Sequence, residues 1–480
     1  MVTILRAEAE RNTGHGKYHL GREPLYSKTG LLSQAAPHKA FSDHQERHMR
    51  TSLFTDHYEL TMLQAALESG AAHRPSVFEA FARRLPEGRR YGVVAGTGRV
   101  LEGLADFRFD DEQLRFLSDN KVVNAETIKY LENFRFTGNI SGYAEGELYF
   151  PNSPLLTVES TFAEACVIET FVLSAMNHDS AIASAASRMI ASAGERPCIE
   201  MGSRRTHEES AVAAARAAMI AGFSSTSNLE AGARYGLKTV GTSAHSFTLL
   251  HDTERAAFEA QVASLGKDTI LLVDTYDVEN GVRTAVEVAG PELGGVRLDS
   301  GDLVQQAGWV RELLDDLGNW NTKITVTSDL DEYAIAALAS APVDSYGVGT
   351  ALVTGSGHPT ASMVYKLVAR QDDAGEWIPV AKAAANKASV GGRKYAVRQL
   401  NERNRAVAEI VSTSDYTTGG PERDLVVPLV RNGEIDQAHV GAAGVKRATE
   451  RHHASVQELP GVARKMQRGE PVIPTVMIQD

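Results

Sequence analysis

Between residues 197 and 348, short apolar runs alternate with amphipathic stretches, and every run finishes on small polar or charged residues. The runs read CIEMGSRR (198–205), GFSSTSN (222–228), LKTVGTSAHS (237–246), TILLVDT (269–275), GGVRLDSGD (294–302), KITVTSD (323–329) and SYGVGT (345–350). A short apolar run bounded by turn residues reads as a buried strand. The stretches between them, such as THEESAVAAARAAMIAG (206–222), ERAAFEAQVASLG (254–266), DLVQQAGWVRELLDDLG (302–318) and DEYAIAALAS (331–340), read as helices. Thr206 is the expected cap of the first of these, with Gly222 as its terminator. Strand, polar turn and helix in repetition predict an α/β fold whose centre is an irregular (β/α) barrel over 151–370. In such a barrel the chemistry sits where the strands end, so the seven polar ends are candidates for one site.

Outside this region the pattern is mixed. TDHYELTMLQAALESG (55–70) opens with Thr55 and Asp56 as capping candidates and predicts a helix that Gly70 stops. SVFEAFARRL (76–85) alternates like a strand, and the segment 153–178 reads as a short strand followed by a strong helix, the first barrel unit. After about residue 367 the periodicity lapses into a Lys- and Gly-rich stretch (370–394), then a hairpin over 426–437 and a helix with a Pro-rich end over 459–477. The expected organisation is a second, discontinuous α/β domain from 49–150 plus 371–480 beside the barrel. Residues 1–48 lack periodicity and read as a poorly ordered extension, with Met49 an alternative start.

Composition narrows the function classes. With 480 residues and 43% apolar content, the chain has the means to bury substantial cores. A formal net charge of −12 argues against a general nucleic-acid binder, while leaving room for a few arginines that hold an anionic small molecule. The two cysteines, Cys166 and Cys198, exclude a disulfide framework and point to a reducing compartment. No run approaches the roughly 18 apolar residues that a membrane span requires.

GVRLDSGD (295–302) is the sharpest of the motifs. Arg297, Asp299 and Ser300 lie at or near a strand exit, where an Arg beside an Asp can hold a phosphate or carboxylate together with a sugar hydroxyl. Gly301 allows close backbone approach, and Asp302 reads as an N-cap. In TSDLDE (327–332) and GVGT (347–350), Ser328 and Asp329 suit ribose hydroxyls or a hydrated metal, and Gly347, Gly349 and Thr350 suit phosphate; tight turns account for the glycines equally well. GTSAHS (241–246) places Thr242 and His245 at another strand end, where a neutral imidazole serves as nucleophile or acid/base. Of the two arginines in GSRR (202–205), Arg204 is the better anion ligand and Arg205 reads as surface-solvated. Tyr58, in the first turn of the opening helix, reads from pattern alone as a half-buried structural aromatic.

Taken in order, TDHYELTM, EMGSRRTHEE, GTSAHSF, GVRLDSGDL, TSDLDEY and GVGTALVT resemble nicotinate phosphoribosyltransferases, from about residue 51 to the C-terminus. The resemblance implies a type II phosphoribosyltransferase acting as a homodimer with a shared active site. Such an enzyme joins nicotinate to phosphoribosyl pyrophosphate (PRPP), with ATP and Mg²⁺, giving nicotinate mononucleotide and pyrophosphate for NAD synthesis in the cytoplasm. His245 matches the histidine that ATP phosphorylates. Arg297 and Thr242 match nicotinate contacts, and Tyr58 matches an aromatic supplied by the partner subunit. Arg204, Asp299, Ser328, Asp329, Gly349 and Thr350 match ribose- and phosphate-binding positions. Ser227 stands where the related nicotinamide-using enzyme has an acid, which would repel a pyridine carboxylate. The competing readings are a nicotinamide or quinolinate transferase, another phosphate-handling barrel enzyme, and a non-catalytic metabolite-binding protein. No direct protein ligand for Mg²⁺ is identified.

Overall fold

The computed structural model describes residues 50–382, 390–414, 419–464 and 466–479. The extension expected over residues 1–48, the alternative start at Met49 and part of the Lys- and Gly-rich stretch lie outside the described residues. The described residues form one compact unit.

Six of the seven predicted runs become strands of one parallel sheet. Its order is Ser225–Thr226, Cys198–Glu200, Ser345–Val348, Lys323–Val326, Gly295–Leu298 and Ile270–Leu272. The seventh run adds an isolated parallel bridge, Thr226 to Thr239. Leu271, Val296, Leu298, Ile324, Val326, Tyr346 and Val348 are all buried in one hydrophobic cluster. Burial of each apolar run on both faces explains why these strands read as continuous apolar runs. Among the described residues no ladder joins Thr239 to Ile270–Leu272, so the predicted barrel is a curled, open half-barrel.

Beside it stands a seven-stranded sheet in which every neighbouring pair is antiparallel. Its order is Trp377–Pro379, Met363–Gln371, Pro75–Ala82, Leu156–Thr161, Asn139–Tyr143, Val426–Arg431 and Glu434–Ile435. The expected first barrel unit is corrected here. Leu156–Thr161 pairs antiparallel with Pro75–Ala82 and Asn139–Tyr143 and takes no part in the parallel sheet. Pro75–Ala82 is buried along nearly its whole length, where alternation was expected, because strands flank it on both sides and the helix Phe162–Val167 packs on it. The predicted hairpin over 426–437 forms, with Val430 opposite Ile435.

A four-stranded sheet is built from Glu422–Asp424, Tyr395–Leu400, Ala406–Ser412 and Thr475–Ile478. Arg398 ties it to the N-terminal part: its buried guanidinium donates to Glu409 (2.9 Å) and to the carbonyl of Leu148 (2.9 Å). A charge so buried is tolerated because its carboxylate partners are buried with it.

Helix ends follow capping chemistry. Asp302 caps Leu303–Asp316 by accepting from the Gln305 N–H at 3.1 Å, as expected. Asp56 caps His57–Ser69, and Gly70 ends it in the left-handed region. Thr206 is not the cap of Glu208–Ile220; that place is taken by His207, one residue later.

Candidate active site

Every neighbouring pair in the six-stranded sheet is parallel, so the polar residues that end the strands emerge at one edge. The ladder continues to that edge: Met201 N–H donates to Val348 O (2.8 Å) and Thr327 N–H to Leu298 O (2.9 Å). There a cavity of about 250 Å³ opens, lined by Met201, Arg204, Arg205, Arg297, Asp299, Thr327, Ser328, Asp329, Gly347, Gly349 and Thr350. Three guanidinium groups against two carboxylates make it a place for an anion that also carries hydroxyls.

Local sequence accounts for its shape. A Cβ on Gly347 would come within 2.5 Å of Thr327 Cγ2 and 2.7 Å of Met201 Sδ, so only glycine lets the strand pass this close. Ser328 has φ 126°, a conformation that an L side chain adopts at a cost of about 1–3 kcal/mol and that is typical of functional turns.

Around the cavity the polar groups are mutually held. The Thr327 hydroxyl donates to Oδ1 of Asp299. Asp274, whose side chain is only 1% exposed, accepts the Asp299 N–H at 2.9 Å and the Ser300 hydroxyl at 2.8 Å, both on Oδ2. His245 stands beside this pair, with Nε2 at 3.8 Å from Asp274 Oδ1 and 3.8 Å from Asp299 Oδ2. Its Nδ1 lies 3.2 Å from the Thr275 hydroxyl. Arg297 reaches the Thr242 hydroxyl at 3.3 Å, and its Nε is buried without a hydrogen-bond partner. Burial lowers the pKa of Arg297, and Asp299 and Asp274 oppose that shift; a guanidinium remains charged regardless. As a charged residue of the cavity lining, Arg297 is suited to an anionic ligand.

Eight of the residues singled out from the sequence therefore line one cavity: Arg204, Arg297, Asp299, Ser328, Asp329, Gly347, Gly349 and Thr350. His245, Thr242 and Ser300 join it through Asp299, Arg297 and Asp274. Three further residues lie outside both the lining and these contacts. Ser227 sits one strand away, its N–H donated to Glu200 O at 2.8 Å. Gly301 takes φ 85° in a turn packed against the Gln306 amide, which accounts for the glycine. Tyr58, 47% exposed, stands on the N-terminal helix; partial burial and the charges of Glu169 and Glu59 push its pKa up to about 12.

Sequence reasoning missed Asp274, Thr275 and Thr327; Arg205 is exposed, as read, and also lines the cavity. Asp274 and Thr275 close the run TILLVDT, so their position was a signal, but an Asp before a helix reads equally well as a cap.

Comparison with known proteins shows what the chain is similar to. The model of the nicotinate phosphoribosyltransferase N-terminal domain matches residues 53–177, and that of the nicotinate phosphoribosyltransferase family matches residues 197–406. The chain is 54% identical over 437 residues to nicotinate phosphoribosyltransferase pncB1 of Mycobacterium tuberculosis, covering 88% of this chain and 94% of that protein. It is 39% identical to the nicotinate phosphoribosyltransferase of Bacillus subtilis, over 74% of each chain. The crystal structure of human nicotinic acid phosphoribosyltransferase shares the fold, with a TM-score of 0.75 at 23% identity over 88% of this chain and 97% of that one. The chain belongs to the nicotinate phosphoribosyltransferase family of enzymes.

Proposed function

We propose that this chain transfers the phosphoribosyl group of PRPP to the ring nitrogen of nicotinate, releasing pyrophosphate, and couples the transfer to ATP hydrolysis through a phosphorylated His245. The observation that carries the reading is the convergence of Arg204, Arg297, Asp299 and Thr350 on one cavity with His245 3.8 Å from Asp299. Arg204 and Arg205 supply charge for the phosphates, and Arg297 with Thr242 faces the nicotinate carboxylate. As pyrophosphate leaves, positive charge develops at the anomeric carbon, and the Asp299 carboxylate, fixed by Thr327, stabilises it.

Mg²⁺, when bound, neutralises the pyrophosphate. The hard oxygens of Asp299 and Asp329 fit such an ion and would hold it. Among the described residues no group of three or more His, Cys, Asp or Glu is arranged to hold a metal by itself.

The same reading takes the enzyme as a homodimer in which the partner's copy of Tyr58 closes the pyridine site. Leu249, Leu250 and Tyr276, at 62%, 77% and 63% exposure, leave apolar surface near His245 for a second subunit to cover. A cytoplasmic location suits the two free, buried cysteines, and no described helix is long and apolar enough to cross a membrane.

The test is incubation with PRPP, Mg²⁺ and ATP and, in parallel, nicotinate, nicotinamide or quinolinate, following mononucleotide and ADP together. Mononucleotide from nicotinate with ADP release is expected. Preference for another pyridine, or turnover without ADP, refutes the corresponding part.

A further inference from the structure

Glu200, the last residue of Cys198–Glu200, is wholly buried, and among the described residues its carboxylate is held without a cation. An isolated buried carboxylate is unfavourable, so its hydrogen bonds define its role. Oε1 accepts the Gly202 N–H and Oε2 accepts the Thr226 hydroxyl. The Thr226 oxygen in turn accepts the Asn228 N–H at 2.9 Å, and the Asn228 side chain donates to Ser203 Oγ at 3.1 Å. Ser227 N–H donates to the Glu200 carbonyl at 2.8 Å. These bonds close a ring between two strand ends. One end carries Arg204, which lines the cavity; the other carries Ser227.

The ring has little slack. A Cβ on Gly202 would come within 2.2 Å of Val353 and 3.1 Å of Glu200 Oε1, so the turn is fitted against both. Burial raises the pKa of Glu200, and the bonds from Thr226 and Gly202 oppose the shift. Thr226 both donates its hydroxyl hydrogen to Glu200 and accepts the Asn228 N–H, so the direction of the chain is set by the carboxylate.

We propose that Glu200 is a positioning residue that ties the turn carrying Arg204 to the neighbouring strand end at Thr226, so that Arg204 is held at the PRPP-binding face of the cavity. The proposal rests on the transferase reading above and adds to it a named origin for the placing of Arg204. Glu200 touches neither substrate; it acts through the backbone of Gly202 and the hydroxyl of Thr226.

Glu200→Gln keeps the shape, but with its carbonyl on Gly202 its NH₂ meets Thr226 only as a donor to an oxygen that already accepts from Asn228, so the charged acceptor of the Thr226 hydroxyl is lost. Thr226→Val breaks the same link from the opposite end. In both variants the KM for PRPP is expected to rise by roughly 10- to 100-fold, the loss of one hydrogen bond to a charged group, with kcat changed less. Because both changes sever one link, the double variant is expected to be no worse than the poorer single variant. A wild-type KM for PRPP in a folded variant, or additive losses in the double variant, overturns the proposal. If Glu200→Gln fails to fold, Thr226→Val alone decides it by the same constant. Failure of the wild-type protein to use nicotinate and PRPP at all is a separate result, which sinks the transferase reading instead.

Discussion

Oδ1 of Asp274 is buried, has no hydrogen-bond partner, and stands 3.8 Å from Nε2 of His245. Its sister oxygen is committed to the Asp299 N–H and the Ser300 hydroxyl, so the carboxylate is held facing the imidazole. A buried charge with one unsatisfied oxygen is strongly drawn to a cation, and an imidazolium formed beside it meets that need. In the proposed mechanism, phosphorylation of His245 would create such a cation at the moment of transfer.

Asp274→Asn should therefore slow phosphoenzyme formation by roughly 10- to 100-fold, the range for losing a charged hydrogen-bond partner. Rapid-quench measurement of labelled enzyme with γ-labelled ATP reads this directly. A phosphorylation rate equal to that of the wild type contradicts the role.

The two ring nitrogens of His245 have different neighbours. Carboxylates of Asp274 and Asp299 flank Nε2 and favour a proton there, which leaves the Nδ1 lone pair beside the Thr275 hydroxyl as the nucleophile. Phosphorus–proton NMR of the trapped phosphoenzyme should show the phosphoryl group on Nδ1. A phosphoryl group on Nε2 refutes this orientation.

Arg297→Ala should raise the nicotinate KM by roughly 10- to 100-fold with a smaller effect on ATP turnover, because a charged donor beside the Thr242 hydroxyl is lost. Lysine at this position should restore little, since it lacks the planar fork. Steady-state kinetics with each substrate varied in turn decide it; unchanged nicotinate kinetics contradict the assignment.

Glu254 gives a pH prediction. Burial, with Asp277 and Asp274 nearby, raises its pKa from 4.5 to about 7. The folded state then binds the proton more tightly than the unfolded chain, so this stabilisation is complete below about pH 4.5 and is lost as pH rises through about 7. Glu254→Gln lacks that loss. The Tm of the variant relative to the wild type should climb across that interval and level off above it. A Tm difference that is flat with pH contradicts the shift.

Much of this arrangement was legible in the chain. The apolar runs ending on Glu200, Leu298, Val326 and Val348 read as strands because burial on both faces removes polar alternation, and their ordered exits named most of the cavity. Leu156–Thr161 was misplaced because a short strand followed by a helix looks alike in parallel and antiparallel sheets. Its partner Pro75–Ala82 lies far off in sequence and leaves no local mark. Asp274 was passed over for a similar reason: its significance comes from His245 and Asp299, which different strand ends bring to it. Glu200 carries no signal at all in a run that already ends on two arginines.

The most direct test of the account is His245→Ala assayed for mononucleotide and ADP in the same reaction. The expected result is loss of ATP hydrolysis coupled to transfer, with slow, ATP-independent formation of nicotinate mononucleotide remaining in the cavity that Arg204, Arg297 and Asp299 still line. A variant that hydrolyses ATP in step with product, as the wild type does, contradicts it.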